Sequence, residues 1–353
     1  MLAVLGHGFE DETLCRAVEG WRGFTVDEGD RLRPEACQSP VWDTALAVLA
    51  LREAGVSADH PALRSAGDWL LREEVTVKGD WAVRRPDLAP GGWAFEFEND
   101  LYPDVDDTAV VALALRELGL GEEAVRRGLE WIVGMQSSGG GWGAFDVDND
   151  KLWLYRIPFC DFGKVTDEPS ADVSAHALEV LAQEPGYEAS VERGLDWLLR
   201  EQEDDGSWFG RWGVNHVYGT GAALPALEAC GIEPEHPAMR RAVEWLDSVQ
   251  NGDGGFGEDI LAYGDDARRG RGVSTPSQTA WALLAYAAAG EQRRLSAERA
   301  ATYLCVAQLA DGDWTEEHYT GTGFPLDFMI RYHLYRLHFP LMALGRLRER
   351  MNA

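Results

Sequence analysis

Asp104-Val105-Asp106-Asp107-Thr108-Ala109 sets three carboxylates at the mouth of an apolar run, Val110 to Leu115. Tyr102-Pro103 ends the preceding extended stretch and apolar residues at helical spacing follow, so Asp107 falls in the first turn of a helix, with Asp104 and Asp106 just outside it. Carboxylates this close cannot all ionise easily, and at least one keeps a proton. The helix N-terminus favours the anion and so makes that proton easier to give away. The combination suits a strong Brønsted acid facing an apolar space. Taken alone, Asp-x-Asp-Asp is more commonly an over-dressed cap on a surface helix, so the surrounding elements have to decide.

Downstream of residue 120 the chain is organised by a repeat. Arg127, Trp131, Gln136 and Trp142 share a template with Arg193, Trp197, Gln202 and Trp208; with Arg241, Trp245, Gln250 and Phe256; and with Arg299, Tyr303, Gln308 and Trp314. A looser copy runs from Arg64 through Trp69 to Trp81. A Gln at a helix C-terminus can bond exposed backbone groups while the ring beyond the Gly-rich turn packs beneath it, stapling one helix to the next. Between these outer helices lie segments richer in Ala, Leu and Val, suited to burial on all sides: 42–54, 107–118, 172–182, 219–230, 277–289 and 326–348. Their partners are 11–24, 61–74, 122–136, 190–202, 237–250 and 297–308. Six alternating pairs predict an all-α chain, one (α/α)6 toroid over residues 1–353, whose inner helices point their N-terminal caps into one central cavity.

Length alone allows one large domain or two medium ones. The formal net charge of −28 argues against nucleic acid and against electrostatic docking on anionic lipid, and leaves apolar membrane contact open. Five scattered cysteines with no Cys-x-x-Cys pair argue against a disulfide framework and against a structural zinc site. The N-terminus lacks a basic region and a long apolar stretch, and no segment holds eighteen apolar residues without charge, so a cytoplasmic protein without a spanning helix is expected.

From about Cys37 to Leu347 the chain resembles the squalene-hopene cyclase branch of class II terpene cyclases. The Gln-to-Trp repeats look like that family's stapling motifs, and Asp104 to Ala109 like its acid motif. Further matching stretches are Ser39-Pro40-Val41-Trp42-Asp43-Thr44, the segment 157–163, Gly210-Arg211-Trp212-Gly213-Val214-Asn215 and Tyr319-Thr320-Gly321-Thr322-Gly323-Phe324-Pro325. The resemblance implies protonation-initiated cyclisation of an isoprenoid, with no cofactor and no metal. Protonating an isolated alkene yields a tertiary carbocation, so the acid must be far stronger than an ordinary carboxyl. By resemblance Asp106 is the proton donor, and Asp104 and Asp107 hold the charge left behind. His176 is the histidine partner of the acid, strengthening it as a cation. Tyr218 lies beside the acid in a water chain that restores the proton.

The same resemblance implies that Trp42, Phe95, Phe145, Trp212, Phe324, Phe328, Tyr332 and Tyr335 line the cavity, because aromatic faces stabilise a cation at about 0.5–2 kcal/mol each. Without it, most of these rings read as packing. Phe159 and Cys160 match residues at the constriction of the substrate channel. Phe145 stands where many members carry Tyr, and Glu96 where some carry Gln. The largest departure is that the family's second barrel has no counterpart. A start at 11–24 and six countable pairs favour a self-sufficient barrel over a truncated piece, and an open cavity suits a farnesyl or geranylgeranyl chain or a prenylated aromatic acid better than squalene. Peripheral membrane contact, with Leu334, Leu337 and Phe339 as an apolar patch, and a homodimer are the assembly expectations.

Competing readings fit less well. Protein prenyltransferase subunits share the toroid but need a zinc site of Asp, Cys and His, and no matching cluster is present. A toroidal glycoside hydrolase needs two separated carboxylates. A non-catalytic interaction toroid is the remaining alternative. Asp146 to Asp150 resembles the start of a calcium loop, but Lys151 stands where Gly is needed and Ile157 where Glu is needed.

Overall fold

A computed structural model describes residues 4–8, 10–35, 37–97, 99–156 and 166–352. Phe159, Cys160 and the rest of the segment 157–163 lie outside the described residues. The helices are α1 (Glu12–Gly23), α2 (Pro40–Glu53), α3 (Pro61–Arg72), α4 (Val105–Leu118), α5 (Glu122–Gly134), α6 (Ala171–Leu181), α7 (Glu188–Arg200), α8 (His216–Ala229), α9 (Pro237–Val249), α10 (Pro276–Ala288), α11 (Leu295–Ala307) and α12 (Tyr335–Asn352). The even-numbered helices form the inner ring: each packs on the next, and α12 returns to α2 to close it. At the closure Arg346 pairs with Glu53 at 2.7 Å, and a Cβ on Gly345 would overlap the Glu53 carbonyl, so glycine lets the two helices approach. Inner helices α8 and α10 are buried on every face over most of their length, as their Ala-rich composition requires. Outer helices α3, α5, α7, α9 and α11 lie against this ring. Helix α1 forms where the sequence places it, but it buries none of its residues and does not pack on the ring as the other outer helices do, so the expected pairing of 11–24 with 42–54 is not formed.

The repeat builds the joint between neighbouring outer helices. Gln136 Nε2 donates to the Gly140 carbonyl at 2.7 Å and to the Ser190 carbonyl, in the first turn of α7, at 2.9 Å. Gln202 reaches Gly206 and Ala238 in the same way, and Gln250 reaches Gly254 and Ser296. The arginine of the following repeat closes each joint from the other side: Arg193, Arg241 and Arg299 donate to the side-chain oxygens of Gln136, Gln202 and Gln250. The ring beyond the turn satisfies a helix C-terminus. Trp142, Trp208 and Trp314 donate their indole N–H to Ile132, Leu198 and Leu304 at 2.7–2.8 Å.

A second set of bonds ties each staple to an inner helix. The backbone N–H of Trp93, Trp142, Trp208 and Phe256 donates to the hydroxyls of Thr108, Ser174, Thr220 and Thr279, each near the start of an inner helix. Thr108 belongs to the acid motif, so the outer scaffold is pinned directly to the residues that could do chemistry.

Three sequence expectations are corrected. In the looser first copy the stapling ring is Trp93, not Trp81: its indole donates to the Leu70 carbonyl at 2.7 Å across a longer loop, and Glu74 replaces the Gln in pairing with Arg127 at 2.7 Å. Trp81 packs edge-on to Trp131 instead, at 5.8 Å. Residues 326–334 are not helical. The strands β1 (Gly321–Phe324) and β2 (Phe328–Ile330) form an antiparallel hairpin ahead of α12, turning at Leu326 with φ +70°. Phe339 is not part of a surface patch, because it is buried against Trp281 and Tyr335 at 5.3 and 4.9 Å; Leu334 remains exposed and Leu337 is half-buried.

Replacing Gln136 by Ala leaves the Ser190 carbonyl and the Arg193 guanidinium without their shared partner. Denaturant unfolding is expected to show a loss of about 2–3 kcal/mol; an unchanged midpoint would deny the staple its role.

Candidate active site

The acid motif is held at both edges before its side chains are considered. Asp104 N–H donates to the Trp93 carbonyl at 3.0 Å, and Val105 N–H to the Ala144 carbonyl at 2.8 Å. Asp104 caps α4, its Oδ1 accepting Asp107 N–H at 2.7 Å. All three aspartates are buried. Asp104 Oδ2 and Asp107 Oδ1 are shielded from solvent with no hydrogen-bond partner among the described residues. Burial, with the charge of Asp106 added, pushes Asp104 up to about 8. Burial and then the charges of Asp104 and Asp106 hold Asp107 well above the ordinary carboxylate value. Burial and mutual repulsion thus favour the protonated forms of Asp104 and Asp107.

Asp106 faces the neighbouring inner helix. Its Oδ1 lies 2.5 Å from Nδ1 of His176, on the second turn of α6. Burial alone would strip the imidazole of its charge; the carboxylate of Asp106 outweighs it and raises His176 to about 9. The pair is a histidinium donating to a carboxylate, a short charge-assisted bond of the strong kind.

The aromatic residues expected around the acid come together from separate elements. Trp42 on α2 and Tyr218 on α8 flank His176, with ring centroids 6.1 and 6.4 Å away. Trp42 donates its indole N–H to the Tyr335 hydroxyl at 2.8 Å. Tyr335 stacks on Tyr332 at 4.2 Å, and Phe95 meets Tyr332 edge-on at 6.2 Å. Phe145 and Trp212 form a second edge-on pair at 6.0 Å. Phe324 and Phe328 face each other across the hairpin. Burial, with the charge of Asp106 next, keeps the Tyr218 hydroxyl protonated far above its usual range. Trp42, Phe95, Tyr218, Tyr332 and Tyr335 thus form one group with His176, and Phe145 and Trp212 form a second.

Asp172 links them. It lies one turn before His176 on α6, accepts Trp212 N–H at 2.7 Å and takes the Ser170 hydroxyl at 2.6 Å. Trp281 on α10 meets Tyr218 edge-on at 4.7 Å and Tyr335 at 6.1 Å. Sequence reasoning assigned neither residue a role. Asp172 opens the predicted inner segment 172–182 that carries His176, whereas Trp281 has no signal beyond a large ring in a helix of small residues. In the segment 146–150, Asp148 accepts the backbone N–H and hydroxyl of Ser138 at 2.7 and 2.9 Å, a turn interaction.

A toroid of inner and outer helices, with a buried Asp-x-Asp-Asp acid facing a histidine, defines the class II terpene cyclases. The squalene-hopene cyclase C-terminal domain matches residues 38–349, and the chain belongs to that family. The squalene-hopene cyclase of Alicyclobacillus acidocaldarius is 53% identical over 345 residues, covering 94% of this chain and 54% of its own length. The dammaradiene synthase of Dryopteris crassirhizoma is 44% identical, covering 100% of this chain and 56% of its own. The chain therefore spans about half the length of these curated relatives. Among solved structures, a variant of the type II terpene cyclase MstE from Scytonema, in complex with geranylgeranyl dihydroxybenzoate, superposes with a TM-score of 0.62 at 17% identity, covering 93% of this chain and 91% of that one. That likeness concerns the fold alone.

The raised values of His176 and Asp104 make stability depend on pH with one sign. A group that binds its proton more tightly when folded stabilises fully below its ordinary value and loses that contribution as pH rises through its folded value. For His176 the window runs from 6.5 to about 9, and for Asp104 from 3.8 to about 8. Thermal melts should show stability falling from pH 6.5 to 9, with the His176 part worth on the order of 3 kcal/mol at most. His176→Gln should flatten the slope over that interval; an equally steep slope in the variant contradicts the assignment.

Proposed function

We propose that the chain protonates a terminal isoprene alkene, or the corresponding epoxide, and drives cationic polycyclisation of a linear isoprenoid, ended by deprotonation or by capture of water. The observation that carries this reading is the 2.5 Å bond between His176 Nδ1 and Asp106 Oδ1 beneath a wall of aromatic rings. For turnover the other carboxyl oxygen of Asp106 takes up a proton from solvent while His176 stays cationic on Oδ1, so the reacting acid carries one proton more than the resting ion pair. Transfer to an alkene leaves one negative charge on Asp106, already matched by histidinium. Because burial favours the neutral forms of Asp104 and Asp107, they add no second full charge to oppose that anion. In this reading they are neutral polar neighbours of the donor as well as its fold anchors.

Trp42, Phe95, Tyr332 and Tyr335 stabilise the cation formed next to the acid, and Phe145, Trp212, Phe324 and Phe328 stabilise it further along, each by about 0.5–2 kcal/mol. Tyr218 is part of the route that returns a proton. The relatives named squalene-hopene cyclase and dammaradiene synthase support a triterpene precursor. The MstE complex with geranylgeranyl dihydroxybenzoate supports a shorter, aromatic-headed chain. The return of α12 onto α2 supports treating the chain as one (α/α)6 unit. Among the described residues no helix is long and apolar enough to cross a membrane. Exposed Leu326 and Leu334 support contact with a membrane surface that supplies an oily substrate.

The test is to incubate the protein and its Asp106→Asn variant with a ladder of polyprenes and prenylated phenols, and to identify products by mass spectrometry. The variant is expected to melt as the parent does and to lose cyclised product by at least about 10²–10⁴-fold, the range for removing a positioned acid. Cyclisation undiminished in a folded variant contradicts the proposal.

A further inference from the structure

A second buried histidine–carboxylate pair lies outside the acid. His216, the first residue of α8, and Glu258 have side chains 2% and 0% exposed, with Nδ1 and Oε1 3.2 Å apart. The other oxygen of Glu258, Oε2, accepts the backbone N–H of Asn215 at 3.1 Å and of Val217 at 2.9 Å. The glutamate is itself clamped from α10. Gln278 Oε1 accepts Glu258 N–H at 3.1 Å, while Gln278 Nε2 donates to the carbonyls of Glu258 and Val214 at 3.1 and 2.9 Å.

The turn fixed in this way carries Trp212 and packs against Tyr218, two of the candidate site residues. Trp212 lies within it, held from below by Asp172 at 2.7 Å and from above by Thr322 N–H, which donates to the Trp212 carbonyl at 3.0 Å. Gly213 lies flat against the Tyr218 ring, where a Cβ would overlap the ring carbons. Gly210 packs as closely, its added Cβ standing 2.6 Å from the Asn215 carbonyl oxygen and 3.0 Å from Tyr218 Cδ1. A shift of residues 210–217 therefore displaces Trp212 and Tyr218 together.

We propose that Glu258, with His216, is a positioning device that sets Trp212 and Tyr218 relative to the Asp106–His176 pair and so governs how far cyclisation proceeds before the cation is quenched. This rests on the cyclase reading. The chemistry favours a carboxylate over any neutral polar group: Glu258 accepts two backbone N–H groups at a helix N-terminus and meets His216 Nδ1 with its other oxygen. A glutamine there offers the two backbone N–H groups only a neutral amide oxygen, a weaker acceptor than a carboxylate, and its NH2 meets His216 Nδ1 only where that nitrogen carries no proton. An aromatic wall displaced by about 1 Å no longer meets the migrating charge, and early proton loss or water capture competes.

The experiment compares the parent protein with Glu258→Gln and Gly213→Ala, reading hydrogen exchange at the amides of Asn215 and Val217 and the ratio of partly to fully cyclised products from a polyprene. Glu258→Gln is expected to speed exchange at both amides at least tenfold and to raise the partly cyclised share severalfold, with KM unchanged. Gly213→Ala is expected to shift the products in the same direction with Glu258 intact, and it carries the test if Glu258→Gln does not fold. Faster exchange with unchanged product ratios would reduce the pair to a structural cap and overturn the proposal. A parent protein that cyclises nothing overturns the cyclase reading itself, and the proposal with it.

Discussion

The bond between His176 Nδ1 and Asp106 Oδ1, at 2.5 Å, joins the N-terminal ends of two neighbouring inner helices and sets the charge state of everything around it. A histidinium buried among apolar rings is costly unless it is paired, and so is a carboxylate. Each makes the other tolerable, which is why His176 is raised to about 9 in spite of burial. The two remaining aspartates of the motif have no cation of their own, and burial pushes both toward the neutral form. The resting site holds one ion pair beside two carboxyls that burial favours as neutral, and a proton taken up and then given away by Asp106 returns it to that balanced state.

The toroid exists, in physical terms, to hold that pair at fixed distance. An inner ring of Ala-rich helices brings α4 and α6 side by side, but burial has no direction and cannot by itself set a 2.5 Å contact. Direction comes from hydrogen bonds. The Gln, Arg and Trp staples fix each outer helix to the next, and the hydroxyls of Thr108, Ser174, Thr220 and Thr279 transmit that order to the inner N-termini. Asp172 and Glu258 extend the same logic to the aromatic wall, accepting backbone N–H groups of the turn that carries Trp212.

Much of this was legible in the sequence because it follows from short, periodic patterns. The Gln-to-Trp spacing marks a helix end and a ring that must return to it, and the structure supplies the partner carbonyls. Asp104 reads as a cap and serves as one. What escaped notice depends on tertiary context. Trp81 and Trp93 both follow the first outer helix, and only packing chooses the ring whose N–H reaches Leu70. The run 326–348 has helical periodicity throughout, yet its first residues pair as a hairpin because Thr322 N–H and the Thr322 hydroxyl find partners in Trp212 and Phe328. Phe339 reads as a surface residue until Trp281 is seen beside it. Glu258 and His216 are far apart in the chain, and nothing local announces their pairing.

The protonation state of His176 is the most direct test of the account. Nitrogen chemical shifts of the protein with isotopically labelled histidine, followed from pH 5 to 10, should show His176 doubly protonated at pH 7 and titrating near 9, and neutral at pH 7 once Asp106 is replaced by Asn. A His176 that is neutral at pH 7 in the parent protein, or that titrates identically in the Asp106→Asn variant, contradicts the ion pair on which the acid depends.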